Sequence, residues 1–244
     1  MNWTWFHRLA SPPHFYRIAG QLLPWLAIPA ALLLAGGIFG GLVLAPPDYQ
    51  QSDAFRIIYI HAPSAWLSLM CYTVMATAAA VGLIWRIKLA HAVAAATAPI
   101  GASFTALALA TGSLWGRPMW GTWWEWDARL TSELILLFLY LGYMALRSSF
   151  DDLTRADRAS ALLAVVGVVN VPIIHFSVYW WNSLHQGATV MKLGRSEMPA
   201  SMLVPLLMCL LGSTLLYGAL LCARVRAEVL ERERQASWLS GLVK

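Results

Sequence analysis

Apolar and polar positions in this chain alternate in blocks the length of a membrane crossing, not residue by residue. Six apolar runs lie at about 22–44, 57–84, 92–114, 130–146, 161–178 and 201–222. Each approaches or exceeds the roughly 18–20 residues that a helix needs to cross a bilayer. The predicted fold is therefore all-α: a polytopic membrane protein with six transmembrane helices, read as a single integral membrane domain over 1–244. A β-barrel would need alternating segments of about ten residues, and the sequence contains none. Pro24 and Pro29 predict kinks in the first span. Gly36, Gly37, Gly40 and Gly41 would let another helix approach it closely. Asn170 and Pro172 predict local unwinding of the fifth span.

The segments outside the spans add detail. Residues 1–20 mix Trp3, Trp5, Phe6, Phe15 and Tyr16 with His7, Arg8, His14 and Arg17, and Pro12 and Pro13 break them. They are expected to lie along the membrane surface, and no cleavable signal is predicted. Residues 45–49 read as a turn. His91 is read as an interfacial residue at the start of the third span. The tail, 223–244, alternates charges and predicts a helix in water or at the surface.

Charge then orients the chain. The net charge is +5, which alone suggests nucleic acid, but the cations are distributed by topology. With six crossings, only Arg56, Arg117, Arg129, Lys192 and Arg195 of the 17 Lys and Arg residues fall on one side. The rest fall with the two termini. The positive-inside rule makes the termini cytoplasmic and the sparse side periplasmic, so no nucleic-acid partner is expected and membrane lipid is. The three cysteines, Cys71, Cys209 and Cys222, are isolated in or beside apolar runs. Neither a zinc site nor a disulfide framework is implied.

The chemistry concentrates between spans three and four. Residues 115–129, on the predicted periplasmic side, hold Trp115, Trp120, Trp123, Trp124 and Trp126, then Asp127 and Arg129. If 120–127 is helical, Trp120, Trp123, Trp124 and Asp127 share one face, with Trp126 at its edge and Glu125 turned away. Such a face would accept a large planar apolar ligand. Tryptophan also anchors helices at headgroups, and both readings fit the residues alone. His61 at the start of span two and His185 in the loop 179–198 fall on the same side. So does His175, the main competitor. Taken alone, His61 or His185 reads first as an interfacial or hydrogen-bonding residue; taken together on the tryptophan face, ligation reads equally.

The run Trp-Gly-Thr-Trp-Trp-Glu-Trp-Asp-Ala-Arg-Leu-Thr-Ser-Glu at 120–133 resembles the tryptophan-rich "WWD" signature of haem-handling membrane proteins. With Tyr-Ile-His-Ala-Pro at 59–63 and Trp-Trp-Asn-Ser-Leu-His-Gln-Gly at 180–187, the chain resembles the cytochrome c maturation protein C (CcmC) family over nearly its whole length. Glu125 departs from that pattern, at a place expected to be uncharged. The resemblance implies that His61 and His185 are axial ligands of haem b (iron protoporphyrin IX), held oxidised as a transferred ligand. The tryptophans would cover and present the porphyrin. Arg56, Arg117 and Arg129 are candidate cations for the propionates, and Asp127 would shape the platform by capping a helix or accepting from an indole N–H. Arg129 and Glu133, four apart, are expected to pair.

By the same resemblance the chain would pass haem to a periplasmic chaperone, CcmE, beside an ATP-binding subunit CcmA, a membrane subunit CcmB and a small membrane protein CcmD. It would act in the bacterial inner membrane, in delivery and not as an enzyme. The sequence has no Gly-x-x-x-x-Gly-Lys-Ser/Thr loop to bind ATP phosphates itself. Two other readings compete. A cytochrome b-like redox subunit would pair buried histidines across the bilayer, whereas these sit at one edge. A small-solute permease would line its midplane with polar groups, for which Asn170 is thin support.

Overall fold

The computed structural model describes residues 11–181, 183, 185 and 198–241. Among these there is no strand, and six helical stretches are long and apolar enough to cross a membrane. The first crossing is α1 (Pro12–Phe39), extended by a π-helical turn at Gly40–Leu44. A 3-10 turn, Asp53–Ile57, leads into α2 (Ile58–Trp85). Then come α3 (Lys88–Trp120) and α4 (Ala128–Ser148). The fifth crossing is split into α5 (Leu153–Gly167) and α6 (Asn170–Trp180), and α7 (Ala200–Arg232) is the sixth.

The helix ends follow local chemistry. Pro12 and Pro13 open α1, where a missing N–H costs nothing. Residues 12–20 thus run into the first crossing as one continuous helix. Residues 1–10, with His7 and Arg8, lie outside the described residues. Pro24 and Pro29 sit within α1 without ending it; the irregularity comes later, at the glycine-rich π turn. Asp152 caps α5, its Oδ1 accepting from the Arg155 N–H at 2.7 Å. The fifth crossing breaks at Val168–Val169, as Asn170 and Pro172 predicted, and Asn170 donates to the Ser132 carbonyl on α4 at 2.8 Å. That side-chain bond supports the interrupted backbone from a neighbouring helix.

Two bodies of helix make the bundle. α2 and α3 form a central hairpin, flanked by α4, α5 and α6. α7 returns to lie against α2 and α3, and α1 packs mainly on α7. Close approach is built with glycine: a Cβ on Gly41 would sit 2.4 Å from the Tyr59 ring. The centre is filled by Leu67, Tyr72, Met75, Leu136 and Tyr140. The rings of Tyr72 and Tyr140 meet edge-on at 5.0 Å, and the Tyr140 hydroxyl donates to the Ser68 carbonyl at 2.8 Å.

At the end that gathers both described termini, charge is buried. Arg232 of α7 donates to both carboxylate oxygens of Asp157, at 2.7 and 2.9 Å, and to Glu228 at 2.8 Å. Arg147 of α4 lies 3.6 Å from Asp157 and bonds Glu228. The tail is helical as far as Arg232, as the continuation of α7. After α7 it folds into a turn at Ser237–Gly241, and Trp238 packs on Tyr16 with ring centres 5.8 Å apart. His91 is also buried at this end, its ring lying over Gly82.

Candidate functional site

The opposite end collects the start of α2, the end of α3, the start of α4 and the chain beyond α6. It therefore brings together three segments that are far apart in sequence. Trp120 ends α3 and residues 121–127 are not helical, so the predicted shared face of Trp120, Trp123, Trp124 and Asp127 does not form. α3 stops at Trp120 because Gly121 takes φ +77, and its N–H closes on the Arg117 carbonyl at 3.1 Å. The next helix starts at Ala128, with Asp127 as its cap: Oδ1 accepts from the Leu130 N–H at 2.7 Å. Between the two helices the chain crosses the bundle end as an irregular strap. Thr122 accepts from the Trp124 N–H at 3.4 Å, and Ser113 of α3 holds the Trp123 carbonyl at 2.7 Å.

This strap divides the tryptophans into two sets. Trp115, Trp120 and Trp124 are half-buried and face the bundle end. Trp123 and Trp126 are 54% and 75% exposed. Glu125 is exposed as well. The predicted separation of Glu125 from Trp120 and Trp124 thus survives, although a turn and not a helical wheel produces it.

The two candidate histidines meet. The ring centres of His61 and His185 are 6.5 Å apart, with 36° between their planes. Trp115 abuts the His61 ring edge-on at 5.6 Å, and Trp120 abuts the His185 ring at 5.0 Å. Trp115 is fixed in turn by an indole N–H to Gln51 Oε1 at 2.9 Å and by Phe55 at 6.0 Å. His61 Nδ1 lies 3.0 Å from Thr111 Oγ1 on α3, and the ring packs against Gly112. His175 stays apart; its ring contacts Phe176 on an exposed face of α6.

Asp127 joins two elements. While Oδ1 caps α4, Oδ2 accepts from the Ser183 hydroxyl, and Ser183 Oγ accepts from the His185 N–H at 3.1 Å. The aspartate therefore holds the backbone that carries His185. Burial pushes the His185 imidazole down to about 4, helped by the positive charges of Arg129 and His61 against the opposing pull of Asp127. Its ring is neutral at physiological pH. The rest of the predicted loop 179–198, Lys192 and Arg195 included, falls largely outside the described residues.

The three candidate cations differ in their attachments. Arg129 is half-buried at the start of α4, within electrostatic reach of both histidines. It lies within electrostatic reach of Glu133 without a contact inside 4 Å, and Glu133 is buried toward Ser68 on α2. Arg56 is tied down: Nε donates to Asp53 at 2.8 Å, and NH1 donates to the Gly41 and Leu42 carbonyls at 3.0 and 3.1 Å. Arg117 bonds the Gly121 carbonyl and braces the turn that ends α3.

The buried polar atoms at this end with no hydrogen-bond partner among the described residues include His185 Nδ1 and Trp124 Nε1, along with the Tyr59 hydroxyl and Glu133 Oε1. Thr111, Gln51 and Ser183 also belong to the site. They carried no signal in the sequence, since each acts through a residue 50 or more positions away.

Six membrane-length crossings, with two histidines set among indoles at one end, define a polytopic membrane protein with a candidate site at that end. The family model described as "CcmC: Heme exporter protein C" matches residues 5–240. Proteins named Heme exporter protein C are 51% identical in Haemophilus influenzae, over 99% of this chain and 98% of that protein, and 50% identical in Escherichia coli K12, over 99% and 97%. One from Bradyrhizobium diazoefficiens is 54% identical over 92% of this chain and 85% of its own. The chain belongs to the Heme exporter protein C family and is a multi-pass protein of the bacterial inner membrane.

Proposed function

We propose that this protein holds haem b at its aromatic end, with His61 and His185 as axial ligands, and gives it up to a periplasmic haem chaperone of the CcmE kind. The observation that carries the reading is the histidine pair. Two imidazoles bound on opposite sides of one metal ion through nitrogens at about 2 Å would have ring centres roughly 6 Å apart. The observed spacing is 6.5 Å. Buried polar atoms normally have partners, so His185 Nδ1 and Trp124 Nε1, which have none among the described residues, suit an end completed by a polar planar ligand.

The chain's own residues divide the work. Trp115 and Trp120 hold the imidazoles edge-on. Asp127 and Ser183 fix the backbone at His185. Arg129 is the cation best placed to receive a propionate, because Arg56 and Arg117 already serve backbone carbonyls. The exposed Trp123 and Trp126 present the ligand's edge and the docking face to the chaperone. The role is one of delivery without bond-making chemistry. The charge asymmetry along the sequence supports placing this end in the periplasm, with both termini cytoplasmic. Work-producing steps fall to partners, an ATP-binding subunit (CcmA) with CcmB and CcmD.

The test is transfer. Protein loaded with hemin in detergent should release it to the soluble domain of the chaperone within minutes. Replacing Trp123 and Trp126 with alanine should leave haem content intact but slow transfer roughly ten- to thirtyfold, since an interface tryptophan contributes on the order of 2 kcal/mol. Haem that stays bound in the presence of the chaperone, and is instead reduced by quinol, would overturn the proposal in favour of a redox subunit.

A further inference from the structure

The inference concerns Thr111 and rests on the proposed role of His61. An imidazole binds iron through a nitrogen that carries a lone pair, so the proton must sit on the other nitrogen. Which nitrogen that is depends on the hydrogen bond the ring makes. Thr111 Oγ1 has a single proton. It lies 2.7 Å from the Leu107 carbonyl, one turn back on α3, and 3.2 Å from that of Ala108. Thr97 and Thr105 on the same helix spend their protons the same way, at 2.8 Å on the carbonyls four residues back. With its proton so committed, Thr111 Oγ1 can only accept from His61 Nδ1, 3.0 Å away. The Ala108 carbonyl, a backbone group that also reaches the ring, is an acceptor only.

We infer that Thr111 is a positioning residue that holds His61 as the Nδ1–H tautomer and leaves Nε2 as its ligating nitrogen. Gly112 completes the cradle. A Cβ there would come within 3.1 Å of His61 Cε1, so α3 lies flush against the ring and fixes its rotation. His185 is different, since its Nδ1 has no partner among the described residues. The two ligands are thus set unequally: His61 is held by a helix before cargo arrives, and His185 is carried by a loop. Such an arrangement suits a site that must release its ligand from one side.

The test uses the full chain in detergent with 15N-labelled histidine, without haem. Nitrogen shifts of the His61 ring, assigned by their loss in His61→Ala, report the tautomer directly. The wild-type and Thr111→Ser proteins should show one protonated Nδ1. Thr111→Val keeps the shape of the side chain but removes the acceptor, and should give a mixture of tautomers. Hemin binding should then weaken by about tenfold, the lower end of what loss of an outer-shell partner costs, because the Ala108 carbonyl remains. Nε2–H in the wild type, or a tautomer unchanged in Thr111→Val, would overturn the inference. Because that readout needs no haem, it fails independently of the ligation proposal. That proposal would fail instead if hemin bound equally well without His61.

Discussion

Replacing His61 and His185 together with alanine should abolish haem retention while leaving the helical bundle folded. Neither side chain supports the core. His61 is half-buried at the head of α2, and His185 lies beyond α6. The loss should exceed the 10–100-fold that removal of an outer-shell partner typically costs, because the iron would lose both of its protein nitrogens. Each single variant should keep some haem in a changed coordination state. His61→Ala should be the more severe, since it removes the ligand that α3 pre-positions through Thr111. Haem content per mole of purified protein, read from the absorbance of the extracted pigment, checks this. Helical content by circular dichroism checks that the fold persists.

The second large effect belongs to the other end. Asp157→Ala should destabilise the protein by about 3–5 kcal/mol, the usual cost of breaking a buried charge pair from one side. Asp157 is buried and receives two bonds from Arg232, with Arg147 at 3.6 Å. Without it two guanidiniums would compete for Glu228. At roughly 2–4 °C per kcal/mol for a chain of this size, thermal unfolding in detergent should fall by about 6–20 °C. Haem affinity should hold, because this network and the histidines lie at opposite ends of α3. A melting temperature unchanged within a degree would mean that the network is peripheral.

The two ends show what was legible in the sequence. The six crossings follow from run length, and the structure extends each rather than moving it. For the first crossing the extension runs back to Pro12, while its end at Leu44 is the predicted one. The convergence of His61, His185 and the tryptophans at one end followed from the parity of six crossings and needed no contact information. The shape of the tryptophan strap did not follow. A 100° periodicity assumes a continuous helix, and Gly121 in a left-handed conformation cancels that assumption. The result is two sets of indoles where the helical wheel gave one face.

Long-range polar bonds were equally out of reach. Arg129 and Glu133 have the spacing of a helical pair and do interact electrostatically, but the burial of Glu133 toward Ser68 on another helix was not legible. The tail's alternating charges read as solvated. Arg232 and Glu228 instead turn inward to Asp157, 75 residues from Arg232 in sequence. Local pattern identifies which residues are amphipathic and cannot tell which distant partner will cover them. Asp127 was the favourable case. Its capping role is local, and an aspartate just ahead of an apolar run signals it.

The central claim is that both histidines bind one iron at the aromatic end. The most direct test is the electron paramagnetic resonance spectrum of the hemin-loaded wild-type protein at low temperature, read with its near-infrared charge-transfer band. The account predicts a low-spin ferric signal with two imidazole nitrogens as axial ligands. A high-spin signal, or one set by a single histidine and a non-histidine ligand, would contradict it.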